Sequence, residues 1–156
     1  MLLTYCKMDK PLRILAVDNE PSVTTALTFA FPAPRYHIVT VAGGEEALMK
    51  LDTIAEPFDV VIVDQKMPHL SGVQLISAMR GRAIRSRVIV LSAQITPDVR
   101  AAYSGLDVEA IFEKPFDLTQ LRSAVNQCGA RSERAALPTS QGRGGCLRGR
   151  EQAGAG

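Results

Sequence analysis

The chain is expected to fold as a doubly wound α/β domain, with one parallel sheet and helices on both of its faces. Three observations point there. Short β-branched apolar runs alternate five times with longer runs of helical period between Leu12 and Cys128. The runs at 12–17, 58–63 and 87–91 are apolar at nearly every position, as central strands covered on both faces are. Those at 36–41 and 108–112 are more mixed, which suits strands nearer the edges. Parallel neighbours need right-handed crossovers, so the intervening helices must lie on the two faces.

The helices follow in order. After the first strand, Val23, Ala26, Leu27, Ala30 and Phe31 recur at i, i+3, i+4, i+7 and i+8, one apolar stripe against the sheet. Ala47, Leu48, Leu51, Ile54 and Ala55 repeat that spacing after the second strand. A third helix over 71–79 is less regular, pairing Val73 with Ile76 and Leu75 with Met79. Thr96-Pro97-Asp98 starts a fourth, a capping residue with proline at the first helical position, followed by Val99, Ala102 and Tyr103. Asp117 with Gln120 opens a fifth in the pattern of a capping box, and its stripe is Leu118, Leu121, Val125 and Cys128. Beyond Gly129 the periodicity stops. Six glycines, scattered arginines and almost no large apolar residue leave little to offset ordering entropy. The expected organisation is therefore an N-terminal extension at 1–10, one folded domain at 11–129, and a disordered Gly/Arg-rich tail or linker at 130–156, with Met8 as a candidate start.

Composition narrows the function classes. The 156 residues, 46% hydrophobic and 22% charged, suffice for one core. The formal charge of +2 is small, and the arginines after Ala130 account for it, so the body is near neutral and argues against direct nucleic-acid binding. Cys6, Cys128 and Cys146 are odd in number and widely spaced, which fits reduced thiols in a cytoplasmic protein better than disulfides or zinc. No apolar run approaches the ~20 residues that span a bilayer, and the first ten residues lack the pattern of a secretion signal.

In a doubly wound sheet, ligands bind at the carboxyl ends of the strands. Asp18 directly follows the first strand, Asp64 the third and Ser92 the fourth, and Lys114 comes two residues after the fifth. Two carboxylates, a hydroxyl and an ammonium thus converge on one edge. A carboxylate can attack phosphorus as a nucleophile, oxygen ligands can hold Mg2+, and a hydroxyl with a lysine can neutralise phosphoryl oxygens. Singly, each has a plainer reading. Asp18-Asn19-Glu20-Pro21 is also a common turn and helix cap. Asp64 is also a loop aspartate, and Lys114-Pro115 also a solvated lysine beside a turn proline. Joint placement on four strand ends favours the chemical reading.

Over residues 13–127 the chain resembles the receiver domains of two-component response regulators. The resemblance rests on Ile14-Leu15-Ala16-Val17-Asp18-Asn19-Glu20-Pro21, Val63-Asp64-Gln65-Lys66-Met67-Pro68 with Gly72, Leu91-Ser92-Ala93, and Phe112-Glu113-Lys114-Pro115-Phe116. It implies a flavodoxin-like (βα)5 sheet in the order 2-1-3-4-5. Asp64 is then the phosphoacceptor, Ser92 the switch hydroxyl and Lys114 a contact of the phosphoryl group. Mg2+ is held by Asp18, Asn19, Asp64 and the backbone carbonyl of Lys66. The implied partners are a sensor histidine kinase or phosphotransfer protein as donor, and a downstream effector or a separate output domain. The implied output surface is the fourth helix and fifth strand, with homodimerisation through these and the fifth helix. By the same resemblance, the domain is expected to accept and lose a phosphoryl group on itself, without turnover of an external substrate.

Two positions depart from the family pattern. Asn19 stands where a second acidic residue is usual, and Ile111 stands where an aromatic residue is usual. Phe112 is adjacent, but neighbours in a strand face opposite ways, so it is expected in the core. Output is then expected through the loop from Ser92 to Thr96 and the fourth helix, with Val99 to Tyr103 as partner surface. His37 is expected on a strand surface and His69 in the loop near Asp64, neither as a metal ligand. The competing function is an interaction module that keeps the fold without being phosphorylated. A phosphatase using an aspartyl nucleophile ranks lower, because Lys66 stands where that class has a second Asp, and no G-x-G-x-x-G follows the first strand for a dinucleotide.

Overall fold

The computed structural model describes residues 10–136, with side chains as far as Arg131. Residues 1–9, with Met8 and Cys6, and the segment from 137 onward, with Cys146, lie outside the described residues. Between them run β1 (Leu12–Val17), α1 (Pro21–Ala30), β2 (Tyr36–Val41), α2 (Gly44–Thr53), β3 (Val60–Asp64), α3 (Gly72–Gly81), β4 (Arg87–Ser92), α4 (Pro97–Tyr103), β5 (Val108–Glu113) and α5 (Leu118–Ala136). The five strands are all parallel in the order β2-β1-β3-β4-β5. The three continuously apolar runs are the interior strands and the two mixed runs are the edges, as the patterning requires.

Alternation along each strand divides the core. Leu15, Val17, Val61, Val63, Val88 and Val90 face one side, where Ala47, Leu75, Ile76, Met79 and Tyr103 cover them. Ile14, Ala16, Val60, Ile62, Ile89 and Leu91 face the other, under Leu27, Ala30, Phe31, Leu121 and Val125. Nearly all of these side chains have no exposed surface. Full burial of each large one contributes about 1.5–3 kcal/mol relative to exposure, so the interior strands are held firmly and their polar ends are fixed in place.

Several boundaries differ from the sequence reading. Asp64 and Ser92 are the last residues of β3 and β4 rather than the first of the following loops, because the ladder extends one pair further, Asp64 opposite Leu91 and Ser92 opposite Glu113. Lys114 directly follows β5. Phe31 and Ile54 close α1 and α2 as C-caps instead of continuing their stripes. A reciprocal capping box that the sequence reading missed starts α3: Gln74 N–H donates to Ser71 Oγ and Ser71 N–H to Gln74 Oε1. Thr96 caps α4 as expected, accepting from Val99 N–H. Asp117 Oδ1 accepts from Thr119 N–H and Gln120 N–H at the start of α5. The helix α5 continues past Gly129 to Ala136, beyond the expected domain boundary. On α4, Ala102 is exposed and Tyr103 is buried, so the expected partner surface from Val99 to Tyr103 is corrected: its last residue belongs to the core.

Candidate functional site

Four chain segments bring their polar residues to the carboxyl edge of β1, β3, β4 and β5. Asp18, Asp64 and Ser92 are buried there, at 2%, 4% and 0% exposure. Backbone bonds beyond the strand ends hold them: Asp18 N–H donates to Val41 O at 3.1 Å, Gln65 N–H to Leu91 O at 2.8 Å, and Lys114 N–H to Ser92 O at 2.8 Å. Asp18 Oδ1 accepts from Glu20 N–H at 2.8 Å, so it does form a turn. It is not the cap of α1, however, because Glu20 occupies that position and no side chain caps the helix. The other oxygen, Oδ2, faces the site and accepts from Lys114 Nζ.

Lys114 reaches into that space. Its Nζ lies 2.9 Å from Asp18 Oδ2, 3.3 Å from Asp64 Oδ1 and 3.4 Å from Glu20 Oε1. Burial raises the pKa of Asp64, and the nearby Asp18 charge raises it further, while Lys114 opposes both. Burial works against the Lys114 ammonium, yet its contacts with Asp18 and then Asp64 carry its pKa above the ordinary lysine value. Two carboxylates that repel one another are thus held together by one cation.

The carboxylates of Asp18, Glu20 and Asp64 each offer an oxygen within 4.8 Å of the others. Such a hard, anionic oxygen set fits Mg2+, which takes one or two carboxylates and keeps several waters. Glu20 stands in this carboxylate set, next in the chain to Asn19, the amide that the sequence reading assigns to the metal. Asn19 and Lys66 are exposed, and the Lys66 N–H donates to Asp64 Oδ1 at 3.4 Å. His37 and His69 are both exposed.

The Ser92 hydroxyl is engaged elsewhere. It is within hydrogen-bond reach of Gln65 Oε1, lies 2.7 Å from Gln94 O, and accepts from Gln94 N–H. Gln65 was not foreseen at the site; a glutamine next to an aspartate carries no signal by type, and only the fold turns it toward β4. Tyr103 was also missed. Its hydroxyl stands beside Gly72, where an added Cβ would lie 2.8 Å from Tyr103 Oη and 2.8 Å from Asp64 O. Ile111 packs on this same side of the sheet and Phe112 on the opposite side, as strand alternation requires. Among the described residues, no helix is long and apolar enough to cross a membrane.

Comparison with known proteins agrees with this geometry. The alkaline phosphatase synthesis transcriptional regulatory protein PhoP of Bacillus subtilis is 30% identical over 129 residues, covering 83% of this chain and 52% of that protein. The chain thus spans about half the length of that relative. Sporulation initiation phosphotransferase F of the same organism is 30% identical over 115 residues, covering 74% of this chain and 91% of that one. Among solved structures, the receiver domain of the Francisella response regulator 1452 superposes with a TM-score of 0.71 at 25% identity, over 77% of this chain and 98% of that one. The chemotaxis protein CheY4 of Vibrio cholerae shares the fold, with a TM-score of 0.69 at 24% identity, over 76% of this chain and 98% of its own. Residues 14–126 match the family described as the response regulator receiver domain, and the chain belongs to that family.

Proposed function

We propose that the domain is a phosphorylation switch in which Asp64 accepts a phosphoryl group from a histidine kinase or a phosphotransfer protein. The observation that carries this reading is the seat of Lys114, in contact with both buried carboxylates. An ammonium placed there is positioned to offset the negative charge that a phosphoryl group adds. Asp64 Oδ attacks phosphorus, the Asp64–phosphorus bond forms, and the bond to the donor imidazole nitrogen breaks, its electron pair staying with the imidazole. Lys114 stabilises the equatorial oxygens. A bound Mg2+ would supply further neutralisation of the phosphoryl oxygens; Asp18 and Asp64 would hold it, with Asn19 or Glu20 and the Lys66 carbonyl beside them.

Ser92 then leaves Gln65 and Gln94 and donates to a phosphoryl oxygen. That movement alters the loop from Ser92 to Thr96 and the adjoining faces of α4 and β5, the surface offered to an effector, to an output domain or, with α5, to a second copy. The domain acts on itself, turns over no external substrate, and works in the cytoplasm. Acetyl phosphate with Mg2+ should give a hydroxylamine-labile acyl phosphate on the wild-type chain and none on Asp64→Asn. No uptake by the wild type overturns the reading. Asn19 and Ile111 favour a second reading, a pseudo-receiver that binds its partner without phosphorylation; partner binding that is indifferent to Asp64→Asn would support it.

A further inference from the structure

One buried group at the site has no part in the reaction above. Tyr103, on α4, is 4% exposed and its hydroxyl has no hydrogen-bond partner. Leaving a buried hydroxyl unpaired is unfavourable, and phenylalanine would fill the same space without that cost. The hydroxyl lies at the back of the Asp64–Gln65 segment: the point 2.8 Å from it over Gly72 is also 2.8 Å from Asp64 O and 3.1 Å from Gln65 Cα. Val99 and Ile111 pack into the same apolar cluster as Tyr103, so hydrocarbon grips the ring while its polar end faces the site. Burial and then the Asp64 charge push the phenol up to about 12, which keeps it a proton donor at physiological pH. Gln65, whose Cα borders that same gap over Gly72, has its Oε1 occupied by the Ser92 hydroxyl.

We infer that Tyr103 is the positioning residue through which α4 registers the state of Asp64: when Ser92 turns to the phosphoryl group, the unpartnered Tyr103 hydroxyl takes the Gln65 acceptor that Ser92 releases and draws α4 toward β3. The inference rests on the phosphorylation reading. It gives a role to a hydroxyl that packing alone does not explain, and it carries the signal through a helix side chain while Ile111 on β5 stays apolar.

The test uses the whole chain, with backbone-amide spectra recorded before and after addition of beryllofluoride and Mg2+. In the wild type, amides around Asp64 and along 97–106 both shift. In Tyr103→Phe, the shifts around Asp64 and the uptake of acetyl phosphate are retained. The population of the shifted α4 state falls about five-fold, the fold-change carried by one ordinary hydrogen bond. Gln65→Leu, which removes the acceptor, likewise lowers the shifted α4 population. Tyr103→Phe melts no lower than the wild type, which separates positioning from packing. Wild-type-sized α4 shifts in Tyr103→Phe, or a wild type that shifts around Asp64 but not along α4, overturn the inference alone. A wild type with no shift around Asp64 overturns the phosphorylation reading and the inference together.

Discussion

The two rims of the sheet carry similar polar residues and use them in opposite ways. At the amino rim, Ser86 Oγ donates to Phe58 O at 2.7 Å, and Asp59 Oδ2 accepts from Arg13 N–H at 2.9 Å. Arg80 donates to the carbonyls of Leu106, Ile84, Ser86 and Asp107 at 3.0–3.1 Å. These groups close on the backbone and complete the fold. Arg13 departs from the pattern, its guanidinium lying 5.2 Å over the Phe58 ring with Nε unpaired. At the carboxyl rim, Asp18 and Asp64 repel, one lysine spans them, Ser92 is parked on neighbouring amides, and the Tyr103 hydroxyl is unpaired. Satisfaction at one rim makes a rigid base; incomplete satisfaction at the other leaves capacity for a ligand.

The largest expected contrast is in chemistry. Asp64→Asn should abolish uptake of label from acetyl phosphate, whereas Arg80→Ala should leave uptake intact at temperatures where it is folded. Loss of uptake in folded Arg80→Ala would break the division between the rims. Next in size, Lys114→Met should destabilise the protein by about 3 kcal/mol at neutral pH, because removing one partner strands buried charges; its side chain is 17% exposed, which limits the loss. Without the ammonium the folded pKa of Asp64 rises further, and a raised carboxylate pKa removes stability as pH increases through it. The gap from wild type in thermal melts should therefore open above the ordinary carboxylate range and close on acidification. Arg80→Ala should cost about 2 kcal/mol in urea unfolding, from lost charged-donor bonds, with no such pH dependence.

Asn19→Asp adds a unit charge near the metal set. It should tighten Mg2+ binding in calorimetric titration by about 1 kcal/mol if water screens the site fully, and more at lower effective dielectric. Unchanged affinity would show that Glu20 already supplies that charge. The smallest effect is on the stability of Asp64→Asn. The raised pKa of Asp64 means that its ionised form is disfavoured in the fold. The amide variant should melt a few degrees above wild type at neutral pH, an advantage that fades as pH falls toward the ordinary carboxylate value and Asp64 protonates.

The interior strands could be read from sequence because burial on both faces leaves an unbroken apolar signature, and the site could be read because four polar residues interrupt those runs at their ends. The ends of β1 and β2 fall where the sequence puts them, but those of β3, β4 and β5 come one residue later, since a polar side chain hides a backbone that is still paired, as at Asp64 and Leu91. The end of α5 was hidden for a different reason. Past Gly129 the apolar stripe is lost, but Ala130, Arg131, Glu133, Arg134, Ala135 and Ala136 are strong helix formers, and propensity extends a helix where no core demands it. Tyr103 was misplaced because an aromatic residue on a short helix gives no sign of which way it points. The Ser92–Gln65 contact spans two strands and has no local trace at all.

The crowding around Gly72 bears on how this chain would tolerate change. Its φ lies outside the left-handed region, so nothing in its own backbone demands glycine, yet a single methyl there would collide with Asp64 O and Tyr103 Oη at 2.8 Å. In a library of substitutions, position 72 should accept almost no replacement while touching neither metal nor phosphate. A survey that equated intolerance with catalysis would mark it as a reacting residue, when what it contributes is an empty volume.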